Sequence, residues 1–187
     1  MKIPAKSLIE DLIEKTKEVI NEAERYNQLP IDKLNWKPSA EKWSVLECLE
    51  HLNLYGDFYI PEIQHRIQKS TKIQGEQIFK SGLLGNYFAN SMLPKEQLNK
   101  MKTFKSMNPV GSQLDIATLE KFIRQQKQIL DLLSQARQTD LMKTKTSISI
   151  SNWIKLRLGD TFRVVIYHNQ RHIVQANKVL EQMKELV

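Results

Sequence analysis

Two histidines four residues apart, His168 and His172, lie in the run Val165-Ile166-Tyr167-His168-Asn169-Gln170-Arg171-His172-Ile173-Val174-Gln175. On an α-helix, side chains at i and i+4 sit one above the other on one face, so the two imidazoles can converge on a single point. That spacing suits a divalent transition metal. Extending the helix both ways, Leu158, Val165, His172 and Val179 recur at every seventh residue, and Phe162, His168 and Gln175 fill the positions between them. Both histidines therefore fall on the stripe that faces a core, where a solvated pair would not be placed.

Three neutral imidazoles are enough to hold such an ion while leaving positions for water or substrate. His51, in a separate helical stretch, offers the third. The bland alternative is a hydrogen-bonded core pair, and the residues alone leave both readings open. His65 has no accompanying ligand type and reads as a surface or half-buried residue.

Four long helices must position these side chains. The first runs from about Ser7 to Asn27, where Leu8, Ile9, Leu12, Ile13, Val19, Ile20 and Ala23 recur at steps of three and four, and Leu29-Pro30 closes it. Asp32 to Lys42, through Trp36-Lys37-Pro38, reads as an extended connection, because proline disfavours helix in the residue before it. In Trp43-Ser44-Val45-Leu46-Glu47, Ser44 and Glu47 form a capping box, with Trp43 placed to pack on the first turn. The second helix starts there and continues to about Ile67, with Pro61 expected to kink it rather than end it. Glycines and prolines then punctuate Ser70 to Ser112, which predicts a long connection with one short helix near Leu83 to Met92. The third helix spans about Leu114 to Gln138, capped by Ser112 or Asp115. Thr144 to Ile154 alternates polar and apolar residues, but with no convincing partner strand it reads as an extended loop. The fourth helix opens at Gly159-Asp160 or Thr161 and runs to about Met183. Together these predict an all-α fold, an up-down four-helix bundle in one domain over 1–187.

Composition narrows the function classes. Hydrophobic residues make up 41% and charged residues 26% of the 187, as in an ordinary globular protein. The single cysteine, Cys48, excludes an internal disulfide framework. Neither a signal-peptide run nor about 18 successive uncharged apolar residues occurs, so the expectation is a cytoplasmic protein with no membrane partner. The formal charge of +7 is scattered among acidic residues rather than gathered in a block, which argues against nucleic acid. An anionic small substrate explains it as cheaply.

The block Trp43-Ser44-Val45-Leu46-Glu47-Cys48-Leu49-Glu50-His51-Leu52, taken with Tyr167-His168-Asn169-Gln170-Arg171-His172-Ile173-Val174-Gln175, resembles the DinB-like superfamily, near its bacillithiol-transferase and metal-dependent hydrolase branch. The resemblance implies a DinB-like four-helix bundle with a long connection between the second and third helices. It also implies a metal site on His51, His168 and His172, with nickel or zinc as the usual ions, and homodimers are common among such bundles.

Two function classes follow. One is a metal-dependent transferase joining a low-molecular-weight, bacillithiol-like thiol to an electrophilic substrate, or a hydrolase activating water, since a bound divalent ion favours thiolate over thiol and hydroxide over water. The sequence offers no obvious Asp or Glu general base on the inner stripe beside the histidines, and Glu50 is turned about 100° from His51, which favours the thiol. The other class is a non-catalytic bundle with a structural ion, for which Cys48 is the nearby residue able to close the shell. Otherwise Cys48 reads as a small buried hydrophobe rather than a nucleophile, Tyr55 as core packing ahead of a pocket wall or proton donor, Gln175 as a partner orienting His172 or a bland polar position, and Arg171 as a solvated surface charge.

Overall fold

The computed structural model describes residues 1–73, 75–94, 103–112 and 114–184, without the side chain of Asn152. In chain order the elements are β1 (Lys2–Pro4), α1 (Ala5–Tyr26), α2 (Ile31–Asn35), α3 (Val45–Gln68), β2 (Ile78–Lys80), α4 (Leu83–Met92), a 3-10 turn at Lys105–Met107, α5 (Ile116–Ala136), β3 (Lys145–Ile148), β4 (Ser151–Arg157) and α6 (Leu158–Lys184). Residues 74 and 95–102 of the expected 70–112 connection, and 113 and 185–187 of the expected domain, lie outside the described residues.

Local chemistry sets the helix starts. Ser44 Oγ accepts from the Glu47 amide at 3.1 Å and the Glu47 carboxylate accepts from the Ser44 amide at 2.9 Å, so the capping box opens α3 as its spacing predicts. Asp115 caps α5 by accepting from the Ala117 amide at 3.0 Å. Pro61 lies within α3 without ending it, and α4 occupies the stretch expected of the short helix.

Three expectations need correction. The connection after α1 is not extended throughout, because Ile31–Asn35 forms a helical turn that buries Leu34 completely. Thr144 to Ile154 is not a lone extended loop: β3 pairs antiparallel with β4, bringing Thr146 opposite Leu156 and Lys145 opposite Arg157. Charged residues at alternate positions of β4 hid that strand, whose other face buries Leu156. The fourth long helix also begins at Leu158, directly after β4. A second small sheet joins Lys2–Pro4 to Ile78–Lys80.

Two apolar clusters define the bundle. In one, Leu8, Ile9 and Leu12 of α1 meet the later turns of α3 (Tyr59, Ile63), the end of α5 (Ile129, Leu133) and the start of α6 (Leu158, Phe162). In the other, Val19 and Ala23 meet the start of α3 (Val45, Leu49), the start of α5 (Leu119, Phe122) and the later turns of α6 (Ala176, Val179). Helices α1 and α6 thus run one way, and α3 and α5 the other. The all-α bundle expected from the sequence is present, but its order is up-down-down-up where a simple up-down alternation was expected, and the parallel pair α3 and α5 requires the long crossover between them.

Between the two clusters every long helix buries polar side chains. Thr16 comes from α1, His51 and Asn53 from α3, Gln125 and Gln126 from α5, and His168, Asn169, Arg171 and His172 from α6. Asn169 donates to Gln126 Oε1 at 2.7 Å, and Gln125 donates to the Asn53 carbonyl at 3.1 Å. A polar belt therefore crosses the middle of the core. Among the described residues, no helix is long and apolar enough to cross a membrane.

The crossover is clamped to α6 by a buried ion pair. Asp160 accepts from Arg163 at 3.1 Å, from the Gly82 amide at 2.8 Å and from Ser81, while Arg163 reaches Asn86 and Asn90 of α4 at 3.3 Å each. Gly85 makes this close approach possible, since a Cβ there would overlap the Asp160 carboxylate. Gly85→Ala should therefore lower stability by about 1–3 kcal/mol, the usual range for overpacking. An unchanged melting temperature would mean that α4 is not seated on α6 as described.

Candidate metal centre

His51 sits in the second turn of α3, facing the middle of α6, where His168 and His172 occupy successive turns. Their Nε2 atoms converge, with 3.3 Å between His51 and His168 and 3.1 Å between His172 and His168. The ligand atoms of all three lie within 4.8 Å of one another, and the residues are only 4–8% exposed. The chain thus gathers the three histidines that its sequence singles out. His65 is exposed and far along α3, outside the cluster.

The other ring nitrogens fix the tautomers. His51 Nδ1 lies 2.6 Å from the Met107 carbonyl oxygen, and His172 Nδ1 lies 3.0 Å from Gln175 Oε1. A carbonyl oxygen only accepts, so both rings carry their proton on Nδ1 and turn an Nε2 lone pair inward. Such lone pairs repel when they face each other in a low-dielectric site. A single proton on His168 Nε2 can bridge well to one neighbour, not to both.

A divalent cation would accept all three pairs at once. Two nitrogens sharing an ion at about 2.0–2.1 Å stand roughly 3.0–3.4 Å apart, which matches the two short separations. Charge state agrees: burial lowers the His51 pKa to about 4, although its bond to Met107 opposes the shift. Burial likewise holds His168 and His172 well below the ordinary histidine value, with their imidazole neighbours and Arg171 adding to it. Neutral imidazole is the form that ligates.

Two aromatic rings wall the cluster. Trp43, just before the α3 cap, lies 4.7 Å from the His51 ring and 5.6 Å from that of His172. Tyr55, one turn after His51, meets His51 at 5.0 Å and His168 at 4.8 Å, both edge-on. Tyr55 is partly buried and so both packs and lines the site.

The remaining candidates separate clearly. Cys48 is fully buried in the apolar cluster around Leu49, burial pushes its thiol pKa up, and it is not in the histidine group. Glu50 accepts from Asn53 at 3.0 Å and no carboxylate joins the histidines among the described residues. Arg171 overturns its expectation: it is 5% exposed rather than solvated, because α1, α3 and α4 all contact α6 and leave little of that helix open. Sequence spacing also gave no sign of the Met107 carbonyl, since a backbone acceptor has no residue signature. The ring contacts of Trp43 were signalled only by its place beside the capping box.

A sequence profile described as the DinB superfamily matches residues 16–176. The chain belongs to the DinB superfamily. The match takes in His51, His168 and His172 and extends the likeness from two blocks to most of the chain. Neither the curated proteins nor the solved structures contain a significant match to it. Within the DinB bundle, a buried three-histidine cluster fits a metal-dependent protein, and its donor chemistry fits a divalent ion.

Two outcomes follow. His51→Ala, His168→Ala and His172→Ala should each lose most of the bound divalent metal, whereas His65→Ala should keep it, measured by elemental analysis of untagged protein. Full metal in the His51 variant would remove α3 from the site. In metal-free protein the histidines are neutral when folded but protonate when unfolded below about pH 6.5. The unfolded state then binds more protons, so stability should decline from pH 6.5 towards the His51 value near 4. Urea midpoints at pH 7.5 and 5 check this, and His168→Ala should show a shallower decline. Identical slopes would contradict burial of His168 as a neutral ring.

Proposed function

We propose that this DinB protein is a metal-dependent enzyme that joins a low-molecular-weight, bacillithiol-like thiol to an electrophilic substrate at His51, His168 and His172. The observation that carries the reading is an incomplete ligand set: three nitrogens converge, and the nearby cysteine is turned into the apolar core. Structural sites close with four protein ligands, whereas catalytic sites keep a position for the reactant. Nickel or zinc suits three imidazoles.

When bound, the ion supplies Lewis acidity, which favours the anionic form of a ligating nucleophile. The protein does the rest. Met107 and Gln175 hold the Nδ1 protons of His51 and His172, so Nε2 stays free to ligate. Trp43 and Tyr55 limit water around the rings. Burial raises the Tyr55 pKa, so its Oη keeps its proton and can donate to developing charge on the electrophile. Arg171, close enough to depress both α6 histidines, adds positive potential that favours an anionic nucleophile.

A thiol fits this equipment better than water. A thiol loses its proton at about 8.5 and water at about 15.7, so water needs far more help. The absence of a carboxylate beside the histidines among the described residues leaves no evident general base. Hydrolysis is the second reading, since it uses the same Lewis acid.

The test is thiol consumption by zinc- or nickel-loaded protein with bacillithiol and a chromogenic electrophile. Turnover that needs the metal and falls at least 100-fold in His168→Ala is expected. Ester hydrolysis without thiol, and no thiol consumption, would replace the transferase reading with the hydrolase one. Chelation should abolish turnover yet leave helical circular dichroism and cooperative unfolding intact. If the bundle unfolded on chelation, the ion would be structural.

A further inference from the structure

The hydrogen bonds of the Glu47 carboxylate go to Ser44, Lys37 and Gly111 and to none of the three histidines, yet the carboxylate is built into their support. The residue is 1% exposed. Oε2 accepts from the Ser44 amide at 2.9 Å, and Oε1 accepts from Lys37 Nζ at 2.5 Å and from the Gly111 amide at 3.0 Å. Gly111 follows four residues after Met107, whose carbonyl takes the His51 Nδ1 proton. The end of the crossover is thus tied to α3 at two points one helical turn apart, Glu47 and His51, with Pro109 buried between the two tied residues.

The helix start alone does not explain a carboxylate here. A capping box works with Glu or Gln at its fourth position. Lys37 and the Gly111 amide are both donors, however, and together with the Ser44 amide they present three donors to one side chain. Only a group that accepts on both oxygens satisfies them. A glutamine could turn its oxygen to the cap or to the crossover, and its NH2 would then face a donor on the other side.

We propose that Glu47 is a positioning residue for the metal centre. By holding Gly111 it places the Met107 carbonyl, and through that carbonyl it sets the tautomer and ring orientation of His51. The inference rests on the three-histidine site proposed above. Partners behind a metal-ligating histidine typically change metal affinity by about 10–100-fold when lost, and Glu47 acts one link further back.

The experiment measures zinc affinity by competition with a chromogenic chelator, alongside thermal unfolding and the visible spectrum of the cobalt-substituted protein. Three variants separate the roles. Glu47→Gln keeps one oxygen for the cap but opposes the crossover. Gly111→Ala strains a residue at φ +81°, where a Cβ would meet nothing within 4 Å, so it acts through the backbone alone. Ser44→Ala removes the hydroxyl half of the cap and leaves the carboxylate.

Glu47→Gln and Gly111→Ala should each weaken zinc binding by about tenfold, the low end of that range, and shift the cobalt spectrum. Ser44→Ala should lower the melting temperature while holding zinc within about twofold of wild type, since loss of a cap affects the helix rather than the ligand. Should Glu47→Gln and Gly111→Ala bind zinc as wild type does, whatever their melting temperatures, Glu47 would be only a cap and the proposal would be overturned. Wild-type protein that bound zinc no better than His168→Ala would instead sink the three-histidine reading, and this inference with it.

Discussion

Three imidazole nitrogens aimed at one another are a repulsive arrangement, and the rest of the bundle is built to hold it. Met107 and Gln175 remove the easy escape, in which a ring would turn or shift its proton so as to donate inward. Apolar clusters on either side fix the backbones of α3 and α6. The cluster cannot spread without disturbing one of them, because interiors are close-packed and deform poorly. A cation at the centre would convert this repulsion into coordination, so preorganisation in the protein would become affinity for the ion.

The polar belt shows how such a site is tolerated in a core. Buried polar groups are costly unless paired, and a histidine cluster alone in a hydrocarbon interior would invite collapse around it. Here the neighbouring positions on α5 and α6 are polar as well, and Asn169 with Gln126 joins these two helices across the bundle. On α3, Gly56 leaves room for the Gln125 amide, which reaches the Asn53 carbonyl and Asp57. The belt's bonds tie both α3 and α6 to α5, while Asn53 Oδ1 and Gln125 Oε1 find no partner among the described residues.

Much of this was legible in the sequence, for identifiable reasons. The histidine spacing, the Ser44–Glu47 box and the apolar stripes are local signals, each read within one helix, and the structure reproduces them. The order of the helices, expected as a simple up-down alternation, was not legible, because periodicity says which face is buried but not which neighbour buries it. Only the length of the connection after α3 hinted at a parallel pair. The strand β4 escaped because Lys155 and Arg157 occupy its outward positions, and Arg171 was misread because an angle around a helix decides exposure only when that helix has an open side. Met107 could not have been found at all, since it acts through its backbone.

Function divides along the same line as legibility. The three histidines come from two regular helices, whose geometry is dictated by hydrogen bonding within each helix and resists change. The Met107 carbonyl comes from the crossover, which is held by a few side chains, among them Glu47 below the site and the Asp160–Arg163 pair against α6. Loops so held tolerate substitution and insertion more readily than the elements they join. A bundle can therefore keep its three nitrogens while the crossover changes how they are oriented and what approaches them. The three nitrogens belong to α3 and α6, and the surroundings that orient His51 belong in part to the segment between α3 and α5.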